Sequence, residues 1–450
     1  MQRHELILLT FVLLGCSNSS SSEISAEQAA AEYSVALAAV SDDAQLAVAQ
    51  AVATKLSKSD WPGWRGPNGD GIAPDGPAVP TKWSSKRNVV WSTPVPGRGH
   101  ASPTIVGNRI FLATADERQK KQSVVAFDKQ TGKQAWMTDV HSGSLPPKLH
   151  RKNTHASPTV ACDGEKLFAS FFHNDAIWLT ALDLDGNQLW QKKLGVFLPR
   201  QYQYGYAPSP LIYQSAVIVA ADYEGGGFLV ALDRNTGKQI WKTPRPKRLS
   251  YSSPVVVNIA GKTQMLISGC DKVSSYNPDT GKLLWSTPAT TMATCGTMVW
   301  DGDFVFASGG YPKAETVCVK ADGSGKIVWK NTQKSYEQSM LAHDGYVYAV
   351  TDGGIAYCWR ATDGKEMWRG RLKGPISASP VLHKGNIYLS NEMGTTYVFT
   401  ATPDKFNLVS TNQLGTDAFA TPTISGGKIY IRVGQGSGGS RKEILYCIGQ

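Results

Sequence analysis

For most of its length the chain alternates short apolar runs with turn residues, as in Thr104-Ile-Val-Gly-Asn-Arg-Ile-Phe-Leu112, where a two-residue turn separates two strand-like stretches. A second phrase follows such hairpins, clearest at Asp233-Arg-Asn-Thr-Gly-Lys-Gln-Ile-Trp241 after Ala231 and Leu232. It recurs as Asp128…Trp136, Asp183…Trp190, Asn277…Trp285, Lys320…Trp329 and Arg360…Trp368. The copies lie roughly 40 to 55 residues apart, the spacing of a repeat architecture. Each phrase predicts a hairpin whose Gly supplies the positive φ of the turn.

Between the Trp copies stand Ala101-Ser-Pro103, Ala156-Ser-Pro158, Pro208-Ser-Pro210, Ser252-Ser-Pro254, Ala378-Ser-Pro380 and Ala420-Thr-Pro422, with Cys295-Gly-Thr297 and Gln338-Ser-Met340 in the same register without proline. Eight units of two hairpins give four strands each, which predicts an all-β, eight-bladed β-propeller of four-stranded antiparallel blades. The last unit ends at Glu443-Ile-Leu-Tyr-Cys-Ile448, one strand short, and Asn88-Val-Val-Trp91 carries a Trp with no unit of its own. Pairing the two closes the ring and removes two open sheet edges. The seventh unit lacks the Gly and carries Val409 near the expected Trp, which predicts a looser outer strand.

The segment before the repeats divides into three. Residues 1–15 read as a signal peptide: Arg3, the apolar run Leu6 to Leu14, then Leu13-Leu-Gly-Cys16, with Cys16 as a lipidated first mature residue. Residues 16–60 read as a Ser/Ala-rich tether, flexible first and then helical from Ala26 to Leu56 with a break at Ser41-Asp42-Asp43. Residues 61–84, with Trp61-Pro-Gly-Trp64, read as an irregular wrap covering one end of the propeller that spans 85–450.

Composition suits one large closed domain: 450 residues, 44 Gly, 24 Pro and 13 Trp. The net charge of +10 points to acidic partners, anionic lipid or polyanionic glycan, and the export signal argues against nucleic acid. Cys318, Cys358 and Cys447 share the register of Ala126, Ala181, Ala231 and Ser275 and read as small core residues. Cys270 and Cys295 stand where an oxidised pair is conceivable, but their spacing does not decide it. No Cys-x-x-Cys, Gly-x-Ser-x-Gly or His-Glu-x-x-His motif occurs.

By register, the innermost strands are preceded by His100, His155, Ala207, Tyr251, Thr294, Glu337, Ser377 and Phe419, which should line one mouth of the axial channel. Two His and a Glu in such a ring suggest a metal or cofactor, against a plain set of solvated residues. The stretch His141 to His155, with Lys148, His150, Arg151 and Lys152, reads either as an anion or metal site or as a basic solvent loop, alongside Arg245, Lys247 and Arg248 in the next long connection.

The Asp-x-x-Thr-Gly-Lys-x-x-Trp phrase with Ser-Pro strand starts resembles the quinoprotein-type (PQQ-like) propeller repeat over residues 85–450. The resemblance implies that Trp91, Trp136, Trp190, Trp241, Trp285, Trp329 and Trp368 dock each blade on its neighbour. Enzymes of that family hold pyrroloquinoline quinone (PQQ) over calcium in the channel. Here the vicinal Cys pair and long insertions are missing, and Asp222, Glu224 and Glu392 sit in no matching motif. By size and architecture the chain is more similar to the BamB-like outer-membrane assembly lipoproteins. That resemblance implies a monomeric scaffold with no cofactor, metal or catalytic residue, anchored by lipid to the outer membrane, facing the periplasm and binding envelope proteins such as the β-barrel assembly machinery. The alternatives are a PQQ-dependent dehydrogenase and a glycan- or polyanion-binding propeller.

Overall fold

A computed structural model of the protein describes residues 47–50 and 55–450. The signal peptide, Cys16 and most of the tether lie outside the described residues. The chain forms eight four-stranded antiparallel sheets, seven of them in simple sequence order. Blade 1 runs through Thr104–Val106, Arg109–Asp116, Lys121–Asp128 and Gln134–Ser142. Blades 2 to 7 begin at the short strands Ala161–Cys162, Leu211–Tyr213, Val255–Ile259, Val299–Asp301, Leu341–His343 and Val381–His383. Blade 8 takes three strands from the C-terminus, and Val89–Val95 pairs with Lys442–Ile448 to complete it. The middle strands, such as Ala216–Ala221, are buried on both faces because each sheet is sandwiched between two neighbours, which is why they read as unbroken apolar runs.

The repeat phrase is a latch between blades. The Trp sits at a bulge on the outer strand, as where Ala231 pairs with Trp241 and Leu232 with Gln239. Its indole N–H donates to a carbonyl just past the first residue of the next blade's turn (Asp183, Asp233, Asn277 or Arg360): Trp136 to Leu184 (2.9 Å), Trp190 to Arg234 (3.2 Å), Trp241 to Pro278 (3.1 Å) and Trp329 to Ala361 (2.8 Å). The turn Gly then lies on the indole face; a Cβ on Gly281 would stand 2.6 Å from Trp241 Cε3. Trp91 closes the ring identically, donating to Lys129 (3.2 Å) beneath Gly132. Trp285 differs because the next turn, Lys320 to Gly325, is one residue longer. Gln264 bridges the gap, accepting from Trp285 (2.7 Å) and donating to the Ala321 carbonyl (2.9 Å).

Around the axis a belt of hydroxyls links the blades. At seven of the eight junctions a main-chain N–H donates to the next blade's hydroxyl, the step from Ser253 to Thr297 being the exception among the described bonds: Ser102 to Thr159 (3.1 Å), Thr159 to Ser209 (2.9 Å) and Ser209 to Ser253 (2.9 Å). After Thr297 it continues to Ser339 (3.0 Å), Ser379 (2.9 Å) and Thr421 (2.9 Å), and Thr421 returns to Ser102 (3.0 Å). This belt fixes the register and corrects two expectations. In blade 2 the belt residue is Thr159, so Ser157 and not His155 matches His100. In blade 5 it is Thr297, so Cys295 replaces Thr294 at the mouth.

The expected loosening of blade 7 is also corrected. Leu408–Gln413 pairs along the neighbouring strand with the usual bulge, and the Trp position is Ser410, opposite Val398, rather than Val409. Trp83 from the wrap stacks on Tyr388 instead (6.4 Å), while Trp83 N donates to Asn412 (2.8 Å). Phe406 fills the space against Trp368 (5.4 Å).

The second tether helix is not seen at its described residues. Residues 47–50 are irregular, with Val48 buried and donating to Asp279 (2.8 Å), and residues 55–60 are irregular apart from a turn at Lys58-Ser59. From Trp61 onward the chain crosses the end of the propeller that carries the turns of the first hairpins. Trp61 and Arg65 are almost wholly buried there.

Candidate functional site

The opposite end of the channel is ringed by the residues that precede the innermost strands and by the longest loops. His100 stacks on Phe419 (4.4 Å) across the junction of blades 1 and 8. Burial, then Arg98, Arg432 and Arg441, keep its imidazole well below its ordinary pKa. Tyr251 is buried, and its hydroxyl has no partner among the described residues.

Lys152 decides the electrostatics of this mouth. It comes from the long loop between blades 1 and 2, yet its ammonium reaches Glu337 in blade 6 (3.3 Å) and Glu392 in blade 7 (2.6 Å). The Ser377 hydroxyl touches the same two carboxylates, 2.6 Å from Glu392, with one hydrogen to give to either. Burial works against the Lys152 charge, but the two glutamates outweigh it and hold the ammonium above its usual pKa. The loop is fastened by Asn153, which donates to the Tyr204 carbonyl (2.7 Å). Lys148 and Arg151 are exposed, as in a basic solvent loop, but Lys152 is not: through it the segment forms a strap across the channel mouth. Its three histidines do not converge. His141 ends a strand and stacks on His173 (4.5 Å), His150 lies on Tyr204 (4.9 Å), and His155 keeps a buried Nδ1 without a partner among the described residues.

The other candidates have structural partners. Asp222 forms a buried pair with Arg245 (2.8 Å), and Glu224 accepts from the main chain of Arg200 and Gln201, the latter at 2.7 Å. Cys270 and Cys295 are both free thiols, and Cys270 contacts the Arg248 carbonyl (3.5 Å). A quinone over calcium needs several convergent oxygens facing a cation. The convergent pair here, Glu337 and Glu392, already faces Lys152, and no group of three or more His, Cys, Asp or Glu side chains among the described residues is placed to hold a metal.

Sequence reasoning missed the ridge beside the mouth. Tyr202 shares a hydroxyl contact with Tyr311 (2.7 Å) and its ring packs on Tyr204 (5.6 Å). Tyr204 and Tyr311 are exposed, as are Val196 and Leu198 on the approach to the ridge. Exposed Arg200 and Lys313 belong to the same loops, and exposed Lys247 and Arg248 to the next connection, between blades 3 and 4. The run Tyr202-Gln-Tyr204-Gly-Tyr206 was its only signal in the sequence.

The family model for outer membrane protein assembly factor BamB matches residues 75–201, 120–369 and 324–404. Curated relatives of that name include one from Burkholderia pseudomallei (strain K96243), 23% identical over 69% of this chain and 87% of the relative, and one from Yersinia pestis, 24% identical over 80% and 90%. A polyvinylalcohol dehydrogenase from Pseudomonas sp is 25% identical over 52% of this chain and 41% of its own length. Among solved structures, BamB from Moraxella catarrhalis superposes with a TM-score of 0.57 at 15% identity, covering 79% of this chain and 96% of that one. The quinohemoprotein alcohol dehydrogenase from Comamonas testosteroni gives 0.65 at 13% identity, covering 94% and 84%, so structural likeness at this level reports the shared fold alone. With the family match running through blades 1 to 7, the chain belongs to the BamB family of eight-bladed, PQQ-repeat propellers.

Proposed function

We propose that the protein is a non-catalytic scaffold of the cell envelope, anchored through Cys16 to the outer membrane, that binds a partner of the β-barrel assembly machinery at the mouth face of its propeller. The observation that carries this reading is the ridge of half-buried Tyr202 and exposed Tyr204, Tyr311 and Leu198, set among cations beside a channel mouth that Lys152 spans. Aromatic anchors within a polar rim suit a protein interface, and the positive loops favour an acidic partner. The relatives named as outer membrane protein assembly factors support the choice of partner.

Affinity capture from detergent-solubilised envelope, comparing the intact chain with a Tyr202→Ala/Tyr311→Ala variant, tests it. The expected result is recovery of a barrel-assembly component by the first and its loss with the second. Recovery of no such component defeats the assembly role. Robust dye reduction with alcohols after adding quinone and calcium defeats the non-catalytic reading.

A further inference from the structure

The wrap shows how this propeller binds an extended chain. Trp61 exchanges two main-chain hydrogen bonds with Ile105 of blade 1, each 2.8 Å, and Cys162 of blade 2 donates to the Pro62 carbonyl (2.7 Å). In blade 7, Leu382 donates to the Gly71 carbonyl (2.9 Å) and accepts from Ala73 (2.8 Å). Ile105, Cys162 and Leu382 are equivalent: each is the second residue of an innermost strand, on its free edge.

Blades 3 and 4 are skipped. After Pro62 the wrap turns across the axis, where the Trp64 indole donates to Thr297 of blade 5 (2.8 Å) and Arg65 donates to the Met340 carbonyl beside blade 6 (2.7 Å). The equivalent residues in the skipped blades are Ile212 and Val256. The hairpins close at Tyr213 with Ala216 and at Ile259 with Lys262, which leaves Ile212 and Val256 in non-hydrogen-bonded pairs. Their N–H and C=O groups point away from the sheet, and no described main-chain group bonds to them. They face a groove of about 680 Å³ that Trp64 and Trp300 also line. With its indole N–H engaged by Thr297, Trp64 offers the groove hydrocarbon only. The groove's charges balance in pairs: Arg234 lies 3.4 Å from Asp163, and Asp70, which also lines the groove, has the buried Arg65 acting on it.

We propose that this groove binds an extended, uncharged polypeptide segment of a partner, pairing main chain to main chain with Ile212 and Val256 and resting an apolar side chain against Trp64 and Trp300. Its wrap already occupies the equivalent edges of blades 1, 2 and 7 in this manner, and edge pairing is a general mode of peptide recognition. The site lies at the opposite end from the Tyr202 ridge, so this proposal and the scaffold reading fail independently.

The test is fluorescence polarisation on the full chain with a labelled nonapeptide of alternating Thr and Val, and with the same peptide N-methylated at every second residue. The unmodified peptide should bind, with affinity falling about tenfold or more on N-methylation, on Trp300→Ala and on Ile212→Pro, which removes one edge donor. Trp300→Ala and the methylated peptide still decide the matter if Ile212→Pro does not fold. Equal binding of both peptides overturns the proposal. So do an unchanged affinity in the Trp300→Ala variant, binding of a neutral hexasaccharide in place of the peptide, and a dimer whose formation buries the groove.

Discussion

At the scale of single residues, the latch makes a prediction that separates backbone strain from packing. Gly281 has φ +71° and its absent Cβ would stand 2.6 Å from Trp241, whereas Gly107 has φ +55° and open space around it. Gly107→Ala should cost about 1 kcal/mol from the left-handed backbone alone, and Gly281→Ala clearly more, about 2–4 kcal/mol, because the indole must also move. Urea midpoints of the two variants check this; equal losses would remove the latch from the account. The Trp and Gly of each latch were legible because a repeated phrase exposes any position that never changes role. Gln264 and Phe406 were not legible, since each compensates locally for a turn of altered length and belongs to no repeat.

His141 gives a pH dependence. Burial, and then the neighbouring His173, lower its folded-state pKa to about 4 from an ordinary 6.5. The unfolded chain therefore binds this proton more readily, and stability falls as pH drops from about 6.5 to about 4, then levels off. The loss from this one group is about 3 kcal/mol at most. His141→Phe, which keeps a ring against His173, should flatten that part of the profile in urea titrations at pH 7 and pH 4.5. An unchanged slope would assign the effect elsewhere.

At the scale of elements, the ring depends on one non-local pairing. Val89–Val95 joins the last strand, and Trp91 meets Lys129 and Gly132 as the other latches meet their partners. Trp91→Ala should therefore destabilise about as much as Trp136→Ala, each by about 2–4 kcal/mol as partly buried tryptophans. A nearly silent Trp91→Ala would mean that closure contributes little. This pairing was legible by subtraction, since one unit lacked a strand and one Trp lacked a unit. The wrap was legible only as irregular chain with two tryptophans. Its route through the edges of blades 1, 2 and 7 rests on backbone groups that every residue carries, so side-chain pattern could not reveal it. The reach of Lys152 was hidden for a related reason: it finds Glu337 and Glu392 by the curvature of the closed ring, which brings blades far apart in sequence to one mouth.

At the scale of the molecule, closure produces two ends of different character. One carries the strapped mouth and its aromatic ridge, and the other carries the wrap and the groove beside it. The sequence made the propeller and its family resemblance visible, because eight repeats constrain architecture strongly. It left the working surfaces obscure, because loops escape the repeat. The most direct measurement of the central claim is site-specific photo-crosslinking in the native envelope from position 311 on the ridge, with position 189 on the outer rim as control. The account predicts that a component of the β-barrel assembly machinery is captured from 311 and not from 189. Capture from 189 alone, or none from 311, would contradict it.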